Sequence, residues 1–456
     1  MKKIPGAFVL SFWDTLLFQT SLNEPAVLHA VLTLSSVHKR NSFNGNDQSG
    51  RNDSPDEQEQ FMLQNYSKAI RHLQPLFSTK DKASVRVALI TCVVFICLEF
   101  LRGHFQTAQT HLQNGLKVLR ELQIPSKGDD VFLLLKSSRN SIDDWIVEAF
   151  TRLNFQVELF KQSYQHPGFV VQASGPEPPV PIFHTLNEAW QQLERLLNKV
   201  FHLTEQGRQQ QNPNNLSIGY PSALLEHQQH IQAELARWLD TYRASREDLQ
   251  TQDPGGLARG LLCVYHTMAN IMAGACLRLG GESIFDCYVE QFVLLINQSA
   301  NMWGITSSGA RVRARSGHYK NMSRSIVDIG WIPPLYYAAL KCRVHRVRLQ
   351  AIRLIESASH REGIWDSKIA ACVARKVMEI EETDFYRDVD TADDFPLSSS
   401  PGSRDLSLTT LPQSYRIHEV KVVLSNGLMD SVALFYRQKE TSRDWKETQV
   451  SIQSYG

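Results

Sequence analysis

Apolar residues recur at steps of three and four along residues 105–122, and this spacing is typical of a helix with one buried face. The stripe consists of Phe105, Ala108, Leu112, Leu116, Leu119 and Leu122. His104, Gln109 and Lys117 fall on the opposite, water-facing side of the same helix. Since an amphipathic helix of this length is not stable alone, its apolar face must pack against other helices. The sequence therefore predicts a body made of packed helices.

Gly103 lies between this stripe and an apolar run from Val87 to Leu98. Glycine readily adopts the left-handed conformation that ends a helix, so the two segments are predicted to form an antiparallel helix hairpin. Pro25 suits the first turn of another helix, and Asp366-Ser367 is a predicted cap. Their stripes are Val27, Ala30, Val31 and Leu34, and Ile369, Val373, Val377 and Ile380. Further helices are predicted near 139–164, 184–205, 222–244, 256–279 and 284–298. The predicted fold class is all-α, a large array of antiparallel helix hairpins with a small C-terminal β-hairpin.

The predicted β-hairpin extends from about residue 416 to 437 and is centred on Asn426-Gly427. Apolar and polar residues alternate on both sides of this dipeptide, whose two positions tolerate the positive φ of a tight hairpin turn. An irregular tail docked on the helices is the alternative. The segments 41–60, 206–217 and 388–412 are polar and lack an apolar pattern, which favours mobile loops or linkers. We therefore expect a helical domain over 1–387, a flexible linker over 388–412, and a hairpin with its tail over 413–456.

The bulk composition excludes several classes of protein. The 456 residues carry a net charge of +1, which gives no overall attraction to nucleic acid or to an acidic membrane. The apolar run Val87–Leu98 is shorter than the roughly 20 residues of a membrane-spanning helix, and the N-terminus lacks the cleavage site of a secretory signal. The seven cysteines are scattered without a C-x-x-C pair, which indicates reduced thiols in the core. We predict no metal site, the series Cys263, Cys276 and Cys287 included.

Asp143-Asp144 is the one pattern that suggests an enzyme. Paired aspartates bind magnesium–diphosphate in all-helical isoprenoid enzymes, but a second acidic motif for a facing helix is missing here. The alternative interpretation makes both residues first-turn acids of a helix that follows Ser141. His227 and His230 lack the acid that a zinc protease places between its histidines, which favours a solvated face. We expect no catalytic, cofactor-binding or metal-binding residues, and no enzyme activity.

Two basic clusters could contact phosphate. The first comprises Arg311, Arg313, Arg315, Lys320 and Arg324, and it could also act as a nuclear-import patch. The second comprises Lys341, Arg343, Arg346, Arg348 and Arg353. We interpret the second as a solvated helix face that pairs with acids such as Glu379, Glu381 and Glu382.

Three blocks of sequence resemble the effector region of fungal zinc-binuclear-cluster transcription regulators. The first is residues 24–31 (EPAVLHAV), and the second runs from Tyr66-Ser67-Lys68-Ala69-Ile70 through residues 96–101 and Gly103 to residues 111–116. The third, in residues 329–382, contains Ile332-Pro333-Pro334-Leu335, Lys341-Cys342-Arg343 and Arg361-Glu362-Gly363-Ile364-Trp365-Asp366. The resemblance implies a nuclear, pathway-specific transcription regulator, for example of a metabolite gene cluster. It also implies transcriptional co-regulator proteins as partners and allows a homodimer.

That family is named for an N-terminal DNA-binding cluster of six cysteines, which the 456 residues do not contain. DNA is therefore expected as a partner only if such a cluster is missing from this sequence, for example through a lost first exon. The alternative is a relative without the cluster that acts as a co-regulator or scaffold through protein contacts.

Overall fold

A computed structural model describes residues 7–8, 10–43, 55–79, 81–123, 132–135, 141–161, 170–173, 181–210, 220–277, 281–313, 330–357, 361–383, 385–386, 394–408, 410–424, 431–439 and 445–453. The α-helices are α1 (Leu17–Asn23), α2 (Pro25–Phe43), α3 (Pro55–Leu73), α4 (Leu76–Thr79), α5 (Lys82–Arg102), α6 (Phe105–Gln123), α7 (Ile142–Lys161), α8 (Leu186–Gln210), α9 (Ser222–Ala244), α10 (Arg246–Gln252), α11 (Leu257–Ala275), α12 (Val289–Arg313), α13 (Ile332–Lys341), α14 (His345–Glu356), α15 (Ser367–Glu382) and α16 (Ser403–Leu406). A π-helical turn covers Phe12–Leu16, and 3₁₀ turns cover Gly281–Tyr288 and Gln413–Tyr415. The predicted all-α class is confirmed.

The strands are short or lie near the C-terminus. They are β1 (Phe132–Leu135), β2 (Val170–Ala173), β3 (Arg361–Glu362), β4 (Trp365–Asp366), β5 (Ile417–Leu424), β6 (Ser431–Lys439) and β7 (Trp445–Gln453). A sheet of order β5-β6-β7 contains the two strands of the predicted hairpin. It also contains β7, which the sequence analysis treated as a tail. β7 is antiparallel to β6, with Ser431 opposite Gln453 and Lys439 opposite Trp445. The turn residues Asn426-Gly427 lie outside the described residues.

The chain divides into two compact units. The first comprises residues 1–4, 9–156 and 424–429, and the second comprises residues 5–8, 157–423 and 430–456. The division at residues 387 and 388 stays a prediction.

α5 is the central helix of the first unit. Val93, Val94, Ile96 and Leu98 are inaccessible to solvent. α5 has the length and hydropathy of a membrane-spanning helix, but 78% of its most apolar 18-residue window is buried within the structure. Apolar length and composition are equally typical of a helix at the centre of a protein core, so they do not by themselves indicate a membrane segment.

The hairpin of α5 and α6 is confirmed. Gly103 ends α5 in the left-handed conformation, with φ 79°, and its N–H donates to the carbonyl oxygens of Glu99 and Phe100. The α6 stripe is buried from Phe105 to Leu119, whereas Leu122 at its end is 47% exposed. Gly115 faces the ring of Phe150 on α7 so closely that an added Cβ would collide with the ring. The close approach of these two helices thus depends on a residue without a side chain.

The second unit packs aromatic residues between its helices. Trp190 of α8 meets Tyr265 of α11 edge to face at 5.1 Å. Trp238 of α9 stacks on His266 of α11 at 5.0 Å. The indole Nε1–H of Trp238 donates to the carbonyl oxygen of Ala189 at 3.0 Å. Aromatic rings therefore supply both the apolar area and the polar links that hold α8, α9 and α11 together.

The polar segments predicted as loops are partly structured. α2 continues to Phe43 and α3 begins at Pro55, so only 44–54 of the first predicted loop lie outside the described residues. α8 likewise continues through Gln210, and 211–217 lie outside them. Within the predicted linker 388–412, residues 394–408 and 410–412 are described, and part of this segment docks on α14. The Gln350 amide of α14 donates to the carbonyl oxygens of Leu397 and Ser399, both at 2.8 Å.

Candidate functional site

The carboxylates of Asp143 and Asp144 are engaged by groups of the protein itself. Asp143 accepts from Arg86 Nε at 2.6 Å and lies 2.8 Å from Lys82 Nζ. The hydrogen bond from Arg86 lowers the pKa of Asp143 to about 2. The Ser141 hydroxyl donates a hydrogen bond to the Asp144 carboxylate at 2.5 Å, and the backbone N–H of Asp144 donates to the oxygen of the same hydroxyl. The two acids thus serve an ion pair and the N-terminus of α7, which is the arrangement that the first-turn interpretation expects.

The histidine and cysteine candidates do not converge. His230 is 62% exposed and lies 3.6 Å from Glu234, while burial lowers the pKa of His227. All seven cysteines are free thiols, and burial raises the pKa of Cys92 and Cys342 to about 12. Within the described ranges, no three His, Cys, Asp or Glu side chains are placed to hold a metal ion together.

The three pieces of the 329–382 block meet in the second unit. The Glu362 carboxylate accepts backbone N–H groups of Gly330, Trp331 and Ile332 at 3.0, 3.1 and 3.0 Å. These donors lie at the N-terminus of α13, where the positive end of the helix dipole favours a carboxylate. Pro333, at the start of α13, has no N–H that would need a partner. Glu362 therefore joins the Ile332-Pro333-Pro334-Leu335 block to the β3–β4 turn.

The same turn places two further residues. Asp366 begins α15 as its N-cap and accepts from the backbone N–H groups of Lys368 and Ile369, so the predicted cap is confirmed. Trp365 is fully buried between Phe160 and Tyr336, with ring centroids 4.9 and 5.3 Å away. Gly363 has φ 55°, which lets the two-residue strands reverse direction. The turn thus fixes the start of α13, the start of α15 and an aromatic cluster.

Lys341, Arg343 and Arg348 belong to a buried group of charges that we call the charge network. Its other members are Glu282, Asp286, Glu381, Glu382 and Arg416. Lys341 and Arg343 each lie 3.2 Å from Glu282, and Arg343 lies 2.8 Å from Glu381. Arg348 lies 2.7 Å from Glu381 and 3.2 Å from Glu382, while Arg416 lies 2.8 Å from Asp286. Four Lys or Arg cations thus face four carboxylates, and Glu382 also contacts His345 Nδ1 at 2.6 Å, so the charges are paired within the protein.

Arg343, Arg348, Glu282 and Glu381 are at most 1% exposed as side chains. Burial opposes the ionisation of Glu381, but the charges of Arg343 and Arg348 outweigh it and lower the pKa of this carboxyl. Burial likewise disfavours the charged form of Arg343, and the charges of Glu381 and Glu282 outweigh it and raise its pKa. Both shifts favour the charged forms of Glu381 and Arg343, in a setting where an unpaired charge would be strongly destabilising.

The prediction of a solvated basic face was therefore wrong. Lys341, Arg343, Arg346 and Arg348 are all buried. The predicted pairing with Glu381 and Glu382 is present, whereas Glu379 pairs with Lys376 at 3.1 Å. The reason is that other parts of the chain cover these side chains, namely the end of α15, residues 395–399 and Ile417. The first basic cluster cannot be placed, since its members either lie outside the described residues or have side chains that are not described.

Backbone groups of the C-terminal segment complete the network. The Ile417 N–H donates to Glu381 Oε1 at 2.6 Å, and Arg343 donates to the Ile417 carbonyl oxygen at 3.2 Å. The Arg416 guanidinium also donates to the Leu411 carbonyl oxygen at 2.6 Å. Sequence reasoning missed Glu282, Asp286 and Arg416, because no local pattern marks a partner that is 59 to 134 positions away. Chemically, the network cross-links four chain segments, and its charged groups pair with one another.

Comparison with known proteins identifies relatives. The sequence model of a family described as fungal specific transcription factor domain matches residues 5–277. This range includes the blocks at 24–31 and 66–116 but ends before the block at 329–382. No solved structure matches the chain.

Two curated relatives are regulators by name. The aspercryptin biosynthesis cluster-specific transcription regulator atnN of Emericella nidulans is 22% identical over 395 residues, covering 71% of this chain and 63% of that protein. The transcription regulator lscL of Purpureocillium lilacinum is 26% identical over 136 residues, covering 29% of this chain and 32% of that protein. The matched family and both relatives are transcription regulators and not enzymes.

Proposed function

Because the chain belongs to the family of fungal specific transcription factor domains, we propose that it regulates transcription of the genes of one pathway, for example a metabolite gene cluster. The observation that carries this proposal is the family match over residues 5–277. The name of the Emericella nidulans relative, which places that protein in a biosynthesis cluster, supports the pathway-specific part.

The regulator acts through protein contacts of its helical body. The charge network and the acids at the start of α7 bind groups of the protein itself, as described above. α3, in contrast, exposes apolar side chains to solvent. Leu63 is 48% and Ile70 38% exposed, and a spacing of seven residues places them on one helix face. Exposed apolar side chains on one face suit the apolar side of a partner helix. We assign this face to a co-regulator protein.

Nuclear localisation and DNA binding are parts of the same proposal. The 456 residues contain no C-x-x-C pair, and the proposal includes DNA as a partner only if a zinc cluster lies outside them. A co-regulator or scaffold without such a cluster is the second candidate, and homodimer formation is compatible with either. Residues 1–456 alone should show no sequence-specific duplex binding at physiological salt.

The test is a fusion of residues 1–456 to an unrelated DNA-binding domain in a fungal host. The wild-type fusion should change reporter transcription under at least one nutrient condition. Leu63→Ser combined with Ile70→Ser should reduce that change about fivefold, since losing about 1 kcal/mol of contact weakens binding by this factor. Leu294→Ser on α12 is the matched control, because Leu294 is 49% exposed and lies on another helix.

Each outcome bears on one part of the proposal. A wild-type fusion that is nuclear and folded by circular dichroism, yet inert under every condition, would contradict the regulatory role. An equal loss of reporter response in the Leu294→Ser control would contradict the assignment of the co-regulator contact to α3. Sedimentation that shows a dimer dissociated by the α3 variants would make this face a contact between two copies instead.

A further inference from the structure

Residues 395–401, which we call the strap, cross the polar side of α14. Phe395 packs against two cations of α14, with the guanidinium carbons of Arg346 and Arg353 at 3.1 and 4.5 Å from its ring centroid. The ring is buried, at 8% exposed. Two guanidinium groups on one aromatic ring are held by cation–π attraction but repel each other. The strap is thus anchored at its first residue beside a concentration of positive charge.

Hydrogen bonds hold the strap as far as Ser399. Arg346 Nη2 donates to the Ser399 hydroxyl at 2.7 Å, and that hydroxyl donates to the Pro396 carbonyl oxygen at 2.7 Å. Arg346 Nη1 donates to Gln350 Oε1 at 2.7 Å, which orients the guanidinium. Burial and the neighbouring charge of Arg353 lower the pKa of Arg346, while the charge of Asp405 acts in the opposite direction. An anion beside these two arginines would relieve their repulsion.

Ser400 lies directly beyond this anchor, and its side chain is exposed. Arg346 Nη2 also donates to the Ser399 carbonyl oxygen at 3.4 Å. That carbonyl and the backbone N–H of Ser400 belong to the same peptide group, so Ser400 directly adjoins the contact with Arg346. Residues 399–402 have no regular secondary structure, and Pro401 biases Ser400 toward the extended conformation. An exposed serine in an extended segment that is followed by proline is the substrate pattern of proline-directed protein kinases. Elsewhere in the sequence this dipeptide occurs at Ser54-Pro55.

We propose that Ser400 is phosphorylated by a proline-directed protein kinase and that the phosphate stabilises the docking of the strap on α14. The kinase transfers the γ-phosphoryl group of ATP to the hydroxyl oxygen of Ser400. The new bond joins this oxygen to phosphorus, the bond between phosphorus and the β,γ-bridging oxygen breaks, and ADP leaves. The hydroxyl proton passes to the catalytic base of the kinase. The product carries a charge of about −1.5 to −2 on the residue next to Ser399, whose hydroxyl accepts from Arg346.

The modification is tested on the full chain with a purified proline-directed kinase, ATP and phosphopeptide mapping by mass spectrometry. Ser400 should be phosphorylated, and the rate at this site should fall at least about tenfold in Pro401→Ala and to zero in Ser400→Ala. Ser398→Ala is the matched control, since Ser398 is exposed in the same segment but is not followed by proline. Phosphate confined to Ser54, or an undiminished rate in Pro401→Ala, would overturn the site.

The effect on the strap is tested by amide hydrogen exchange of residues 394–408 in the phosphorylated and unmodified proteins. Exchange should slow about five- to tenfold in the phosphorylated protein, as expected for one charge-assisted hydrogen bond. In Arg353→Gln, whose circular dichroism should match the wild type, phosphorylation should produce less than half of this slowing. Equal exchange with and without phosphate, or full slowing in Arg353→Gln, would refute the stabilising role.

Discussion

Replacing Glu381 by glutamine tests whether the charge network stabilises the second unit. Glutamine keeps the shape of the side chain and one oxygen that can accept the Ile417 N–H, which now donates at 2.6 Å. It removes the negative charge that lies 2.8 Å from Arg343 and 2.7 Å from Arg348. The variant therefore changes charge with little change in packing.

The expected loss of unfolding free energy follows from the ion pairs that remain after the substitution. Arg343 keeps Glu282 at 3.2 Å and Arg348 keeps Glu382 at 3.2 Å, so each cation retains one carboxylate. The network as a whole gains one uncompensated buried positive charge. Removing one partner of a buried ion pair destabilises proteins by about 3–5 kcal/mol. We expect about 3 kcal/mol here, at the lower end, because both arginines keep a partner.

Urea unfolding, followed by circular dichroism and tryptophan fluorescence, gives the free energy of unfolding. If the two units unfold separately, only the transition of the second unit should move to lower urea, with an unchanged slope. Glu356→Gln is the matched control, because its pair with Arg375 is 2.7 Å long but 38–42% exposed. An exposed pair of this kind contributes about 0–1 kcal/mol. A loss below about 1 kcal/mol in Glu381→Gln, or an equal loss in the control, would refute the reasoning.

The pH dependence provides an independent check. The folded-state pKa of Glu381 is lowered relative to the unfolded chain, so its contribution is fully present above the ordinary glutamate pKa of about 4.3. That contribution is lost as pH falls through the lowered folded-state value. The difference in unfolding free energy between wild type and Glu381→Gln should therefore be constant near neutral pH and shrink in acid. A difference that grows on acidification would contradict the assignment.

Three further variants have defined outcomes. Gly103→Val should destabilise the first unit by at least ~1 kcal/mol in thermal unfolding, because a β-branched residue is poorly tolerated at φ 79°, and the fusion described above should lose reporter activity with it. Glu362→Ala should lower the unfolding free energy by about 2–3 kcal/mol, since three N–H groups lose their charged acceptor; an unchanged urea midpoint would show that water replaces it. Asp143→Asn with Asp144→Asn should cost under about 2 kcal/mol, because the Asp143 pair is partly exposed and asparagine also caps helices. Magnesium-dependent turnover of an isoprenyl diphosphate that this double variant abolishes would overturn the assignment as a non-enzyme.

Local sequence patterns predicted the features that depend on near neighbours. The stripe of α6, the turn at Gly103 and the cap at Asp366 each follow from residues within about one helical turn, and the structure contains all three. The two strands that flank residue 426 were likewise predicted from the alternation of apolar and polar residues over a few positions.

Features that depend on distant residues were not predictable. On a helical wheel, Arg346 and Arg348 fall on a polar face, because the wheel does not show that residues 395–399 cover Arg346 and the end of α15 covers Arg348. Likewise, β7 was missed because its inward-facing side contains Thr448 beside Val450 and Ile452, so the apolar alternation is too short to recognise. In both cases a long-range partner, invisible in a sequence window, decides whether a polar residue is buried.

The charge network also affects the order in which the chain folds. Arg416 contacts Glu282 and Asp286 across 134 and 130 positions. Contacts between residues so far apart in sequence form late, because closing a long loop costs conformational entropy before the contact is gained. Before residues 411–417 dock, Glu381 lacks the Ile417 N–H and Arg343 lacks the Ile417 carbonyl oxygen, so we expect water to take their places. We therefore expect docking of residues 411–417 to be the step that expels water from this group of charges. Substitutions in the network should accordingly accelerate unfolding more than they slow folding.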